Sequence, residues 1–428
     1  MIAVYDFAVS RISFDFFGFL VVAEMERQRR GADNVHLVVV PAEGDGFHPN
    51  VQYDLQQKQW RLQNIVVAGT ALLPTVTQFT VCSDRDQARA ALSGREEDIH
   101  PEGYAIDAPI GRWATGYSFL EAHLGGDPRV LRSSEQARMY VGDWLRQITP
   151  AKSPVSLTLR EATHNAQRNT DREVWLSFAD WLAGQGYCPV IVPDTETVPE
   201  WTTETYRSHN GFSEAAFNLD LRLALYEYCF LNVNVTNGPS QLCGLSPLTR
   251  NITFVTGDWL HEEPTPFLGL GLERGEAPPY SSAWQKFAWR VPTLDALKEE
   301  FLSISEELGG EPYSTGAPNP FSPISANTNH DPNEIAMRFL TTREWELFDH
   351  AADLISAARG PSADIYYLQA LAARAPSLDT ASEFFKMALA TLAKSPDLAD
   401  ENPRAYQIFQ HIKSLAPELI DANEVYQF

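Results

Sequence analysis

The sequence predicts an α/β protein of two Rossmann-like halves followed by an all-helical extension, and three observations carry that expectation. Short β-branched apolar runs alternate with helical spacing from the first residues to about Leu92. The alternation breaks near Thr149 to Pro154 and restarts from Val155 to Val255, so a second doubly wound sheet is expected there. From Asn333 onward only helical spacing remains. The expected domains are residues 1–150, 151–330 and 331–428.

In the first half, Met1 to Val9 reads as a strand. Phe14 to Arg30 reads as a helix with Phe16, Phe19, Leu20, Ala23 and Met25 on one face, and Val35 to Val40 as a buried strand. Near-continuous apolar strands belong to parallel sheets covered on both faces. Trp60 to Leu72 is expected to be a helix, Gln78 to Cys82 a strand and Arg85 to Leu92 a helix. Ile99 to Thr115, with its Pro and Gly residues, is expected to be irregular, and Ser134 to Ile148 helical.

In the second half, Val155 to Leu159, Pro189 to Val192, Phe230 to Val235 and Ile252 to Val255 read as four strands. The helices between them are Asp171 to Ala183 and Ser213 to Tyr228, the latter with Ser213 as its cap. Gly257 to Pro279 is rich in Pro and Gly and is expected to be a long loop or lid. Leu294 to Leu308 returns as a helix, and Gly309 to Pro332 as a linker. In the tail, Ala381, Phe385 and Ala388 have the spacing of a tetratricopeptide repeat, against the alternative of a helical cap.

The chain of 428 residues carries 56 acidic side chains against 33 Lys and Arg, a formal charge of -23. Such a surface repels polyphosphate and anionic lipid, which argues against a nucleic-acid partner and leaves room only for a small anion gathered by a few arginines. Hydrophobic residues at 44% exclude a disordered chain. The cysteines Cys82, Cys188, Cys229 and Cys243 form no C-x-x-C pair and read as buried thiols. With no signal-peptide pattern and no membrane-length apolar run, a cytoplasmic location is expected.

Ligands of open α/β sheets bind at the carboxyl ends of the strands. Three such ends carry chemistry here. SLTLREATHNAQRN, residues 156–169, puts Arg160 and Glu161 at a strand end, with His164, Arg168 and Asn169 in the loop before the next helix. Arg160 offers a rigid fork to a phosphate or carboxylate, and His164 a general base. Their bland counterpart is a rim of paired and solvated side chains. VIVPDTE brings Asp194, Thr195 and Glu196 to the same edge, where carboxylates suit ribose hydroxyls, although Asp and Thr also serve turns. NVNVTNGPS brings Asn237, Gly238, Pro239 and Ser240, a sharp turn that allows close backbone approach to a phosphate or is only a tight turn. In the first half Asp6, Arg11 and Asp15 follow the first strand, with helix capping by Ser13 or Asp15 as the alternative. The chain lacks G-x-x-x-x-G-K-[ST], G-x-G-x-x-G after an early strand, G-x-S-x-G and H-E-x-x-H, so the common kinase, dehydrogenase, hydrolase and metalloprotease readings lose support.

L-T-L-R-E with downstream R-N, then V-I-V-P-D-T-E, then N-G-P-S, resembles the donor domain of GT-B-type bacterial surface-polysaccharide glycosyltransferases, with a looser likeness to ADP-heptose transferases and fucosyltransferases. The likeness covers Val155 to Phe254 and extends to the first 150 residues by architecture alone. It implies a metal-independent transferase whose substrate is a nucleotide-sugar, with no further cofactor. Arg160 and Arg168 would lie at the donor diphosphate, Asp194 to Glu196 near the nucleoside and Gly238 to Ser240 beneath the phosphates. Asp15 would be the base from the first domain. Two alternatives stay open: a nucleotide-sugar epimerase or hydrolase on the same fold, and a non-catalytic module whose helical tail binds protein.

Overall fold

A computed structural model describes residues 1–49, 53–111, 115–149, 152–261, 272–308, 345–359, 362–373, 378–394 and 403–417, with a few isolated neighbours. Residues 262–271 of the expected lid, the linker from Gly309 to Pro332 and the start of the tail lie outside the described residues.

Apolar runs become parallel strands because both of their faces are covered. Strands β1 (Ile2–Asp6), β2 (Val35–Val40), β3 (Val76–Val81) and β4 (Ile99–His100) form a parallel sheet of order β3-β2-β1-β4. All five residues of β1 are buried. Helix α1 (Asp15–Arg29) is buried from Phe16 to Met25, because α4 (Thr115–His123) packs against it. At the end of β1, the buried Asp6 carboxylate takes both Arg85 Nη atoms at 3.0 Å and the Tyr104 hydroxyl at 2.6 Å. That network ties β1 to α3 (Arg85–Leu92) and accounts for Asp6 structurally.

The second sheet has order β10-β9-β8-β5-β6-β7, all parallel, from β5 (Pro154–Thr158), β6 (Cys188–Val192), β7 (Asn210–Gly211), β8 (Leu231–Val235), β9 (Asn251–Phe254) and β10 (Gln285–Ala288). In chain order from β5 this is 3-2-1-4-5-6, the dinucleotide-fold arrangement, and its switch point falls between β5 and β8. Within β8 the period of two is strict: Leu231, Val233 and Val235 join the apolar core, while Asn232 and Asn234 face a buried polar layer. Within that layer Ser156 Oγ donates to Asn232 Oδ1 at 2.5 Å and Thr253 Oγ1 to Asn234 Oδ1 at 2.7 Å.

Several expected elements change shape. The expected helix from Trp60 begins earlier, as α2 (Leu55–Arg61), because Asp54 and Gln57 form a reciprocal capping box. It continues as a π-helical segment, Leu62–Val67, and a 3-10 turn, Thr70–Leu72. The single helix expected from Ser213 to Tyr228 is two, α7 (Glu214–Phe217) and α8 (Leu219–Tyr228), because Asn218 turns extended and its side chain caps Asp220 and Leu221. Ser213 makes no cap; its hydroxyl meets Tyr206 at 2.8 Å. The irregular stretch after Ile99 contains β4, and β7 and β10 bring the strands of the second sheet from the expected four to six.

Helix α5 (Glu135–Ile148), on the N-terminal side of the expected boundary, packs Ala137, Val141 and Leu145 against Val190 and Val192 of β6 and Leu225 of α8. The remaining helices of this part are α6 (Arg172–Gly184), α9 (Ser240–Gly244), α10 (Asp258–His261) and α11 (Leu294–Glu307). All four cysteines are buried free thiols. Both sheets belong to one compact unit; a second unit holds the C-terminal helices Trp345–Arg359, Ala363–Ala373, Leu378–Leu392 and Pro403–Leu415. Within it Ala381, Phe385 and Ala388 are buried together with Ile408 and Ile412, as in any packed pair of helices. No helix among the described residues is long and apolar enough to cross a membrane.

Candidate functional site

The carboxyl edges of the two sheets face each other, and the residues that follow their strands meet between them. After β1 the chain runs to Phe14 and Asp15; after β8 it runs to Gly238 and Gln241. A Cβ at Gly238 would lie 2.4 Å from Phe14 Cδ2, so the close approach expected at this glycine is made by Phe14. The Asp15 carboxylate receives a hydrogen bond from the Ser13 hydroxyl at 2.8 Å and another from the Gln241 side chain. Burial pushes the Asp15 carboxyl above the ordinary carboxylate range, against the opposing pull of Ser13, Arg11 and Gln241. The residue at the helix cap position is Phe14, without a side-chain cap bond, so Asp15 is not the cap of α1, while Ser13 Oγ accepts from the Asp15 amide at 3.3 Å.

At the end of β5, Arg160 is 8% exposed and folds back on its own loop. Its Nη1 donates to Asn165 O at 2.9 Å and to Asn169 Oδ1, and its Nη2 to His164 O at 2.6 Å. Asn169 closes the same loop through Ala162 O at 2.9 Å. His164 itself is exposed, with Nε2 at 3.0 Å from Asn165 Nδ2. Arg168 donates to Thr236 O at the end of β8, thereby bridging the switch point. Burial brings its guanidinium down to about 10, with the neighbouring Arg160 charge adding to the effect, so it stays charged at neutral pH. The Thr236 hydroxyl and Gln241 Oε1, both at this end of β8, are buried and lack a hydrogen-bond partner among the described residues. The hydroxyl can donate or accept and the amide oxygen can accept, so both suit a polar group of a bound molecule.

Glu161 has a structural task. Its Oε1 accepts from Arg172 Nε at 2.6 Å, and its Oε2 from Thr197 Oγ1 at 2.5 Å and Trp201 Nε1 at 3.0 Å. Burial would raise its pKa, but Arg172, Thr197 and Trp201 together hold it below the ordinary value. Asp194 and Glu196 fasten the loop after β5: Glu161 N donates to Asp194 Oδ2 at 3.1 Å and Thr163 N to Glu196 Oε2 at 2.8 Å. Thr195 Oγ1 donates to Ala216 O at 2.9 Å. In the turn after β8, Asn237 Oδ1 accepts from Ser240 N at 2.8 Å, and Ser240 Oγ donates to Asn237 O at 2.7 Å. Pro239 is the cap-position residue just before the short helix α9. The second sheet thus brings Arg160, Arg168, Asp194 to Glu196 and Asn237 to Ser240 to one edge, and Asp15 comes to it from the first.

Sequence reasoning passed over Arg61. This residue ends α2, yet its guanidinium is influenced by Glu196 and Asp194 of the second sheet as well as by Tyr53. A local pattern could not single it out, since a basic residue in a last helical turn is ordinary. Among the described residues no group of three or more His, Cys, Asp or Glu side chains is placed to hold a metal ion.

No family model and no curated protein matches the chain. Among solved structures, the E. coli ADP-heptose lps heptosyltransferase II is 10% identical with a TM-score of 0.41, over 72% of this chain and 98% of its own. The E. coli heptosyltransferase WaaC with ADP is 12% identical at TM-score 0.36, over 71% and 100%. The glycosyl transferase family 9 protein of Veillonella parvula DSM 2008 is 11% identical at TM-score 0.37, over 59% and 80%. At that level of likeness, the chemistry of this chain has to be read from its own residues.

Proposed function

We propose that this chain is a metal-independent glycosyltransferase that moves a sugar from a nucleoside-diphosphate sugar to an acceptor hydroxyl, in the manner of GT-B enzymes that build surface polysaccharides. The observation that carries the reading is the juxtaposition of a carboxylate of raised proton affinity, Asp15, with the arginine-bearing strand ends at the switch point of the second sheet. In this reading the acceptor oxygen attacks the anomeric carbon while Asp15 takes the hydroxyl proton. The bond from that carbon to the diphosphate oxygen breaks, and its electron pair leaves on the nucleoside diphosphate. Positive side chains at the strand ends stabilise the leaving charge. Asp194 to Glu196 lie near the nucleoside, and Asn237 to Ser240 border the phosphates. The orphaned Thr236 hydroxyl and Gln241 carbonyl are suited to sugar hydroxyls, which both donate and accept. His164, in the exposed loop after β5, is the second candidate for the proton.

Thermal unfolding against ADP, UDP, GDP, CMP and their sugar conjugates tests the reading. A ligand at about 100 times its dissociation constant stabilises the fold by about 2.7 kcal/mol. One nucleoside diphosphate and its sugar conjugate are expected to raise the melting temperature, with release of that nucleotide once an acceptor is supplied. A flat response to the whole panel would overturn it.

A further inference from the structure

Of the guanidiniums of Arg61, Arg160 and Arg168, that of Arg61 is the one that no hydrogen bond or ion pair among the described residues engages. Arg160 directs three bonds at its own loop, to Asn165 O, Asn169 Oδ1 and His164 O. Arg168 bonds Thr236 O across the switch point. Arg61 lies with its guanidinium 3.8 Å over the Tyr53 ring. Stacking of that kind uses the face of the planar group and leaves its N–H edges available. Among the described residues no hydrogen bond and no ion pair engages those edges.

Arg61 and Arg160 also belong to one electrostatic neighbourhood. Both are influenced by the same three groups, Asp194, Glu196 and Tyr53, although α2 belongs to the first sheet and β5 to the second. The two carboxylates do not neutralise Arg61 by contact. Their oxygens accept backbone amides of the loop after β5, at 3.1 Å from Glu161 N and 2.8 Å from Thr163 N. Asp194 and Glu196 thus act on both Arg61 and Arg160 while their own hydrogen bonds go to backbone amides.

We infer that Arg61 is the ligand-contacting fork of this site, which reaches from the first sheet to the diphosphate of the donor, while Arg160 and Arg168 act as positioning residues that shape the loop and the switch point. The assignment rests on the glycosyltransferase reading for the identity of the ligand. Bidentate guanidinium binding of phosphate explains why an arginine is held by an aromatic face at this place. It also explains why sequence position gave no sign of it: the contact exists only once the two sheet edges meet.

Calorimetric titration of the full chain with pyrophosphate, ADP, UDP and GDP tests the assignment in wild type, Arg61→Gln, Arg61→Lys and Arg290→Gln. Arg290, an exposed residue paired with Glu299 at 2.9 Å and Glu300 at 3.5 Å, serves as the control. Arg61→Gln is expected to weaken the preferred nucleoside diphosphate and pyrophosphate about tenfold or more, as for loss of a hydrogen bond to a charged group. Arg61→Lys should recover only part of the loss, and Arg290→Gln should bind as wild type does. A merely charge-balancing Arg61 would lower the melting temperature of Arg61→Gln and leave affinity unchanged, which overturns the assignment. If wild type binds a nucleoside diphosphate and Arg61→Gln binds it equally, the assignment fails and the transferase reading stands. If wild type binds pyrophosphate through Arg61 and no nucleotide at all, the transferase reading fails and the anion site stands.

Discussion

The Gln241 side chain hydrogen-bonds the Asp15 carboxylate, so the loop after the first strand is joined to the short helix after β8 across the two sheet edges. A carboxylate is thus kept at the strand ends in a place where burial makes it hold its proton more firmly than usual. Asp15→Asn removes the base and keeps the shape. Turnover is expected to fall about 10²- to 10⁴-fold, the usual worth of general base catalysis, with donor affinity nearly unchanged. The pH profile of kcat/KM should rise through a value above the ordinary carboxylate range, since the ionised form is the active one.

The same residue makes a prediction about stability with a definite sign. The folded-state pKa of Asp15 is raised, so as pH rises the unfolded chain releases this proton before the folded chain does. Stability therefore falls between the two values and stays lowered above the folded one. Asp15→Asn is expected to melt above wild type at neutral pH, with the difference vanishing below the ordinary carboxylate range. Equal melting curves at pH 7 would show that Asp15 carries no such penalty.

Gly238 and Phe14 form a second junction between the edges. A Cβ at Gly238 would meet Phe14 at 2.4 Å from Cδ2 and 2.6 Å from Cγ. Gly238→Ala should cost about 1–3 kcal/mol, the range for overpacking, measured by urea unfolding. In a double-mutant cycle with Phe14→Ala, the alanine at 238 should become nearly neutral, because its obstacle is gone. Additive losses would mean that backbone conformation, not Phe14, demands the glycine.

The parts of this fold that were legible in the sequence are those held by local pattern. Strands such as Val35–Val40 and Cys188–Val192 announce themselves because burial on both faces needs unbroken apolar runs. The two-residue pairings Ile99–His100 and Asn210–Gly211 do not, since tertiary pairing makes them and propensity does not. Helix α5 shows an apolar face, yet nothing in its spacing says that the face covers β6. The site divides in the same way. Arg160, Asp194 and Asn237 were found because they end strands, whereas Arg61 and the orphaned Thr236 hydroxyl become visible only when two distant edges meet.

Glu161 offers the sharpest test of a structural role within the site. Its carboxylate gathers Arg172, Thr197 and Trp201, and despite burial those partners hold its pKa below the ordinary value. Its contribution is present above the ordinary carboxylate pKa and is lost as pH falls through the depressed folded value. Glu161→Gln leaves Arg172 with the more exposed Glu200 at 3.1 Å as its remaining ion-pair partner, and should destabilise by about 3 kcal/mol at neutral pH, as for breaking a largely buried pair. The gap from wild type should close in acid. Emission near Trp201 should change in the folded state, because the indole N–H loses its charged acceptor. If the gap instead persists unchanged to low pH, the loss comes from packing around the side chain, and the ion pair with Arg172 is not what holds the loop after β6.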